Sequence, residues 1–103
     1  MPEKNKKIQE IQILEQNLQN LLLQKQAFQM EFAETQMAKK EIEKSGDEVF
    51  KIIGQLMIKA EKPKITDELN NKEKILDLRI KSIENQEKSM TERIESLRKE
   101  IFG

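Results

Sequence analysis

The chain has 103 residues, 37% of them charged and 36% apolar, with four Phe and no Trp or Tyr. That balance is too poor in apolar side chains for an ordinary globular core, but it suits long helices carrying a narrow apolar stripe. Nineteen Lys+Arg offset nineteen Asp+Glu, so no net charge draws the molecule to nucleic acid or to an anionic membrane. With neither Cys nor His, disulfides, thiolate chemistry, structural zinc and the usual general base are excluded. A stripe-only chain has little from which to build a pocket, so neither an enzyme nor a cofactor is expected.

The N-terminus, Met1-Pro2-Glu3-Lys4-Asn5-Lys6-Lys7, leads into alternating apolar and Gln residues rather than a signal-peptide block. Leu21-Leu22-Leu23 is far short of the roughly 20 apolar residues of a membrane span, so a soluble cytoplasmic protein is expected. Residues 3–44 hold no Gly or Pro and predict a first helix. A 3-4 spacing there selects Ile11, Leu14, Leu18, Leu21, Lys25, Phe28, Phe32, Thr35, Lys39 and Ile42. Leu22, Leu23, Met30 and Met37 fall off that stripe and are read as widening the apolar face or lining a subunit contact.

The interior breakers Gly46, Gly54 and Pro63 surround a stretch that reads as a β-hairpin over residues 48–60. Its turn is Gly54-Gln55, and a two-residue loop opening with Gly suits type II′ geometry. One face of the hairpin carries Val49, Lys51, Ile53, Leu56, Ile58 and Ala60; the other carries Phe50, Ile52, Met57 and Lys59. A second helix is predicted over 66–102, with Pro63 stopping the strand and Thr66 as N-cap ahead of Asp67 and Glu68. The alternative is that Thr66 is an ordinary solvated residue. The second stripe is Leu69, Glu73, Leu76, Ile80, Ile83, Glu87, Met90, Ile94, Leu97 and Ile101.

Such repeats predict a mainly α fold, an antiparallel helical coiled-coil hairpin interrupted at its centre by a short β-hairpin. At 1.5 Å per residue each arm would be about 50–60 Å long. Antiparallel partners should have residue numbers with a constant total. Ile11 with Ile101, Leu14 with Leu97, Leu18 with Ile94, Leu21 with Met90, and Ile42 with Leu69 all total 111 or 112. Any two heptad stripes align in some register, so the polar interruptions carry the information. Lys25 falls opposite Glu87 and Lys39 opposite Glu73, both totalling 112, a match that a one-heptad slide would break. Seam ion pairs add little stability, and their role is read as penalising wrong registers. The alternative is that these side chains snorkel to solvent.

A lone two-stranded hairpin is marginal in water and exposes two edges. Apolar side chains on both faces make it worse, so hairpins from several subunits are expected to close into a barrel through Val49, Phe50, Ile52, Ile53, Leu56, Met57 and Ile58. The alternative is that helices of the same chain cover one face. At the ends farthest from the hairpin lie Ile8, Ile11, Ile13 and Leu14 on one arm, and Leu97, Ile101 and Phe102 on the other. Terminal turns fray, and an apolar tip flanked by charge suits weak, sequence-tolerant binding of other apolar chains. The competing reading is a broadened stripe ending in a disordered Phe102.

Several segments resemble the β-class subunits of prefoldin, of the archaeal type. The resemblance covers nearly the full length and rests on Gln24-Lys25-Gln26 with Glu34-Thr35-Gln36, Glu48-Val49-Phe50-Lys51 with Gly54, and Arg79-Ile80 with Ile83-Glu84-Asn85-Gln86-Glu87. A single hairpin interrupts the arms, which implies the β class, since the α class has a longer insert. The resemblance implies one prefoldin-like domain over 1–103 and a hexamer of two α-class and four β-class subunits. The hairpins would form the barrel body, and the coiled-coil tips would hold unfolded client polypeptide without ATP and deliver it to a group II chaperonin. The client-binding tips map onto 8–14 and 97–102, the assembly surface onto 49–60. Readings of another class are a structural coiled-coil adaptor and a homomeric filament-forming scaffold.

Overall fold

The computed structural model describes residues 2–103, in the order α1 (Pro2–Lys44), β1 (Glu48–Ile53), β2 (Leu56–Glu61) and α2 (Lys62–Phe102). Contacts divide the chain into two compact units. One joins the residues up to Ala27 with Arg79–Gly103, and the other is Phe28–Leu78.

In the first unit α1 and α2 bury Ile11, Ile94 and Leu97, with Leu14, Leu18 and Ile101 packed against them. Leu21 and Ile83 are buried in the same unit. All belong to the two 3-4 stripes, so the narrow stripe is the core.

The second unit holds the end of α1, the hairpin and the start of α2. Ile42, Val49 and Leu76 are buried there together with Thr35. Burying a hydroxyl is tolerated because Thr35 Oγ1 donates to the Glu31 carbonyl at 2.7 Å, back along its own helix. The strands pair antiparallel from Glu48↔Glu61 to Ile53↔Leu56, leaving Gly54-Gln55 as the turn. Gly54 has φ +60° and among the described residues no non-glycine residue has positive φ, as a type II′ turn requires and type I′ forbids.

The start of α2 departs from the sequence expectation. It begins at Lys62, directly after β2, so Pro63 lies inside its first turn rather than outside it. There the missing N–H of proline removes nothing, and its fixed φ suits the helix. Thr66 is consequently not an N-cap. Its Oγ1 donates to the Lys62 carbonyl at 2.9 Å, one helical turn back. Glu68 is freed from the helix start and pairs with Lys51 of β1 at 2.9 Å.

At the other junction, α1 ends in a turn at Ser45, whose N–H donates to the carbonyls of Glu41 (3.1 Å) and Ile42 (3.3 Å). The Lys62 ammonium donates to the carbonyls of Ser45 at 2.9 Å and Glu43 at 3.5 Å. A cation from the first residue of α2 thus satisfies carbonyls left free at the negative end of α1.

Candidate functional site

Two surfaces carry the residues singled out in the sequence, one in each unit. On the hairpin, Phe50, Ile52, Ile53, Leu56, Met57 and Ile58 are all exposed, Ile52 and Met57 to 70% and 68%. Alternation along the strands puts Phe50, Ile52 and Met57 on one face and Ile53, Leu56 and Ile58 on the other. Val49 corrects the proposed assembly surface. It is 8% exposed, covered by its own chain, and belongs to the core of the unit instead. The Lys51–Glu68 pair ties the Val49 face to the first turns of α2. A shallow groove of about 550 Å³ on this unit is lined by Ile42, Val49, Phe50, Ile65 and Leu69, with Glu41 and Glu48 beside them.

The terminal turns of α1 and α2 form the second surface. The residues assigned to client binding separate into two groups here. Ile11 and Leu97 are buried in the seam, Leu97 to 1% exposure, so in the closed helix pair they are core and not surface. Leu14 and Ile101 are half-buried against them. Ile8, Ile13 and Phe102 are exposed. Phe102 is the last residue of α2, and the Lys4 ammonium sits 5.8 Å from its ring centroid, within cation–π range.

The register residues meet as pairs. Lys25 Nζ lies 2.9 Å from Glu87 Oε1, and Lys39 Nζ lies 3.1 Å from Glu73 Oε2, all four side chains partly buried. Bonding to Glu87 holds the Lys25 ammonium above the ordinary lysine range against the lowering effect of burial, and the charges of Glu87 and Glu84 add to it. Glu87 Oε1 is sealed from water, with Lys25 as the cation facing it.

Sequence reasoning missed a set of exposed pairs across the terminal turns: Lys7–Glu100 at 3.4 Å, Glu10–Arg93 at 3.1 Å and Glu15–Arg98 at 2.8 Å. The heptad could have found them, because residues flanking the apolar stripe are the ones that ion-pair between helices. Among the described residues no group of three His, Cys, Asp or Glu is placed to hold a metal ion. No helix among them is long and apolar enough to cross a membrane.

Two helices pairing through heptad seams and joined by a hairpin with exposed apolar faces define a hairpin-linked coiled-coil protein. A family model described as prefoldin subunit matches residues 5–102. The prefoldin subunit beta of Thermococcus onnurineus is 37% identical over 84% of this chain and 77% of its own length. That of Methanosarcina acetivorans is 33% identical over 97% of this chain and 87% of its own. The crystal structure of the prefoldin beta subunit from Thermococcus strain KS-1 superposes with a TM-score of 0.90 at 33% identity, covering 98% of this chain and 90% of that one. The chain belongs to the prefoldin subunit family, and these relatives are its β subunits. Prefoldin subunits are chaperones and not enzymes, so membership carries a function of the chaperone type.

Proposed function

We propose that the chain works as a single prefoldin-like domain, the β-class subunit of a cytoplasmic hexamer with two α-class and four β-class members. The complex is an ATP-independent holdase that binds unfolded polypeptide at its coiled-coil tips and delivers it to a group II chaperonin. The observation that carries assembly is the hairpin: a two-stranded sheet with six exposed apolar residues and two unpaired edges. Closing several hairpins into a barrel removes the edges and buries one face. Client binding rests on the exposed Ile8, Ile13 and Phe102 beside a seam that frays at its ends. Several weak apolar contacts acting together give avidity without a strong single site.

Two measurements test this. Mixing the chain with an α-class subunit and taking the native mass should give a discrete two-plus-four complex; a stable monomer would overturn the barrel. Removing residues 1–10 and 94–103 should leave that mass ratio intact and abolish suppression of client aggregation. Full suppression by the shortened assembly would overturn the assignment of clients to the tips.

A further inference from the structure

The terminal turns hold their best apolar residues inside. Ile11, Ile94 and Leu97 are buried, and Leu14, Leu18 and Ile101 pack on them. An incoming apolar chain reaches these side chains only when the two helices part at that end.

The charges beside this core are arranged on both of its flanks. Glu10 and Arg93 each immediately precede a seam isoleucine, Ile11 and Ile94. Glu15 and Arg98 each immediately follow a seam leucine, Leu14 and Leu97. Positions just before and just after the seam residues project to opposite sides of a two-helix interface. Both sides are bridged. On one, Arg93 presents a fork to Glu10, with Nε to Oε1 at 3.1 Å and Nη2 to Oε2 at 3.5 Å. On the other, Arg98 Nη2 donates to Glu15 Oε1 at 2.8 Å. In each pair α1 supplies the carboxylate and α2 the guanidinium, and Arg98 sits near the C-terminal end of α2, where a cation is favoured. Separating the helices here must break both bridges.

We propose that Glu10–Arg93 and Glu15–Arg98 form a two-sided ionic clasp that holds the apolar core of the terminal turns shut and sets how often it opens. This rests on the tip-binding reading given above and adds its regulation: the clasp is an autoinhibitory contact, and ionic strength relaxes it. All four side chains are about half exposed, so salt screens them readily. A single exposed pair is weak, but the terminal turns are the least stable part of a helix pair, so a small bias changes their open fraction.

The chain has no cysteine, which permits a direct readout. Leu97→Cys in the full chain gives one thiol in the buried core, and its reaction rate with a thiol reagent reports opening. In that background, Glu10→Gln with Glu15→Gln should raise the rate about two- to tenfold. Exchanging the charges, with Glu10→Arg, Glu15→Arg, Arg93→Glu and Arg98→Glu, should return it toward the starting value. Salt at 1 M should speed the parent clearly more than the double-Gln variant, in which the exposed Lys7–Glu100 pair is the bridge that remains. An unchanged rate on neutralisation, or equal salt acceleration of parent and variant, would overturn the clasp. Binding of a labelled, permanently unfolded polypeptide by the assembled complex, with the cysteine absent, is measured separately. Faster labelling without tighter binding of that probe would leave the clasp standing and remove the tip-binding reading.

Discussion

Lys25 and Glu87 meet at 2.9 Å within two mainly apolar stripes, each opposite the other and nowhere near in sequence. Lys39 and Glu73 repeat the arrangement in the other unit at 3.1 Å. Lys25→Glu would set two carboxylates against each other at a partly buried position and should lower the thermal midpoint. Lys25→Glu combined with Glu87→Lys should recover most of the loss, since the attraction is rebuilt in the same register. Equal destabilisation by the single and double variants would show that the pair does not select register.

The same pair has a pH signature. Bonding to Glu87 raises the folded-state pKa of Lys25 above its unfolded value. Its stabilisation is therefore complete below the unfolded lysine pKa, about 10.4, and is lost as pH rises through the folded value. The stability difference between the parent and Lys25→Gln should be constant from pH 6 to 9 and shrink in strongly alkaline solution. Denaturant titrations across that range measure it.

Leu97 and Phe102 lie in one terminal stretch and should answer truncation very differently. Leu97 is 1% exposed, so Leu97→Ala should cost about 2–5 kcal/mol through lost burial and the cavity left behind. Phe102 is 75% exposed, and Phe102→Ala should change stability by less than about 0.5 kcal/mol. Thermal denaturation of both variants checks the contrast.

Gly54 tests the turn. A Cβ built there meets no atom within 4 Å, so any penalty is one of backbone conformation and not of crowding. Gly54→Val should destabilise by about 1–2 kcal/mol, because positive φ brings Cβ against the following carbonyl. Gly54→Asn should cost clearly less, since Asn tolerates that region. Similar losses for both, read by thermal melting, would contradict the steric account.

Ile52 and Met57 form a cross-strand pair on the exposed hairpin face. Ile52→Lys with Met57→Glu should leave the helical signal in circular dichroism unaltered, because neither side chain is covered by its own chain. The double variant should fail to form the complex with an α-class subunit. A native mass identical to that of the parent complex would show that this face is not used in assembly.

Much of this architecture was open to reading from residue order alone. Heptad spacing, the absence of Gly and Pro from both arms, and Gly54 in a run of β-branched residues determined helix, hairpin, helix and the type of turn. Number totals of 111 and 112 already set Lys25 opposite Glu87 and Lys39 opposite Glu73. These features are local or strictly periodic, and so they leave a mark in a linear string. What depended on three-dimensional packing left none. Pro63 is compatible both with ending a strand and with opening a helix, and the folded chain has it do both, with β2 ending at Glu61 and α2 beginning at Lys62. Val49 alternates like its exposed neighbours, yet the helices of its own chain cover it. Ile11 and Leu97 read both as seam residues and, because terminal turns fray, as residues open to binding; only packing shows them sealed in the closed pair. Burial depends on which surfaces meet across space, and periodicity names the face of a helix without saying how deeply each residue on it is sealed.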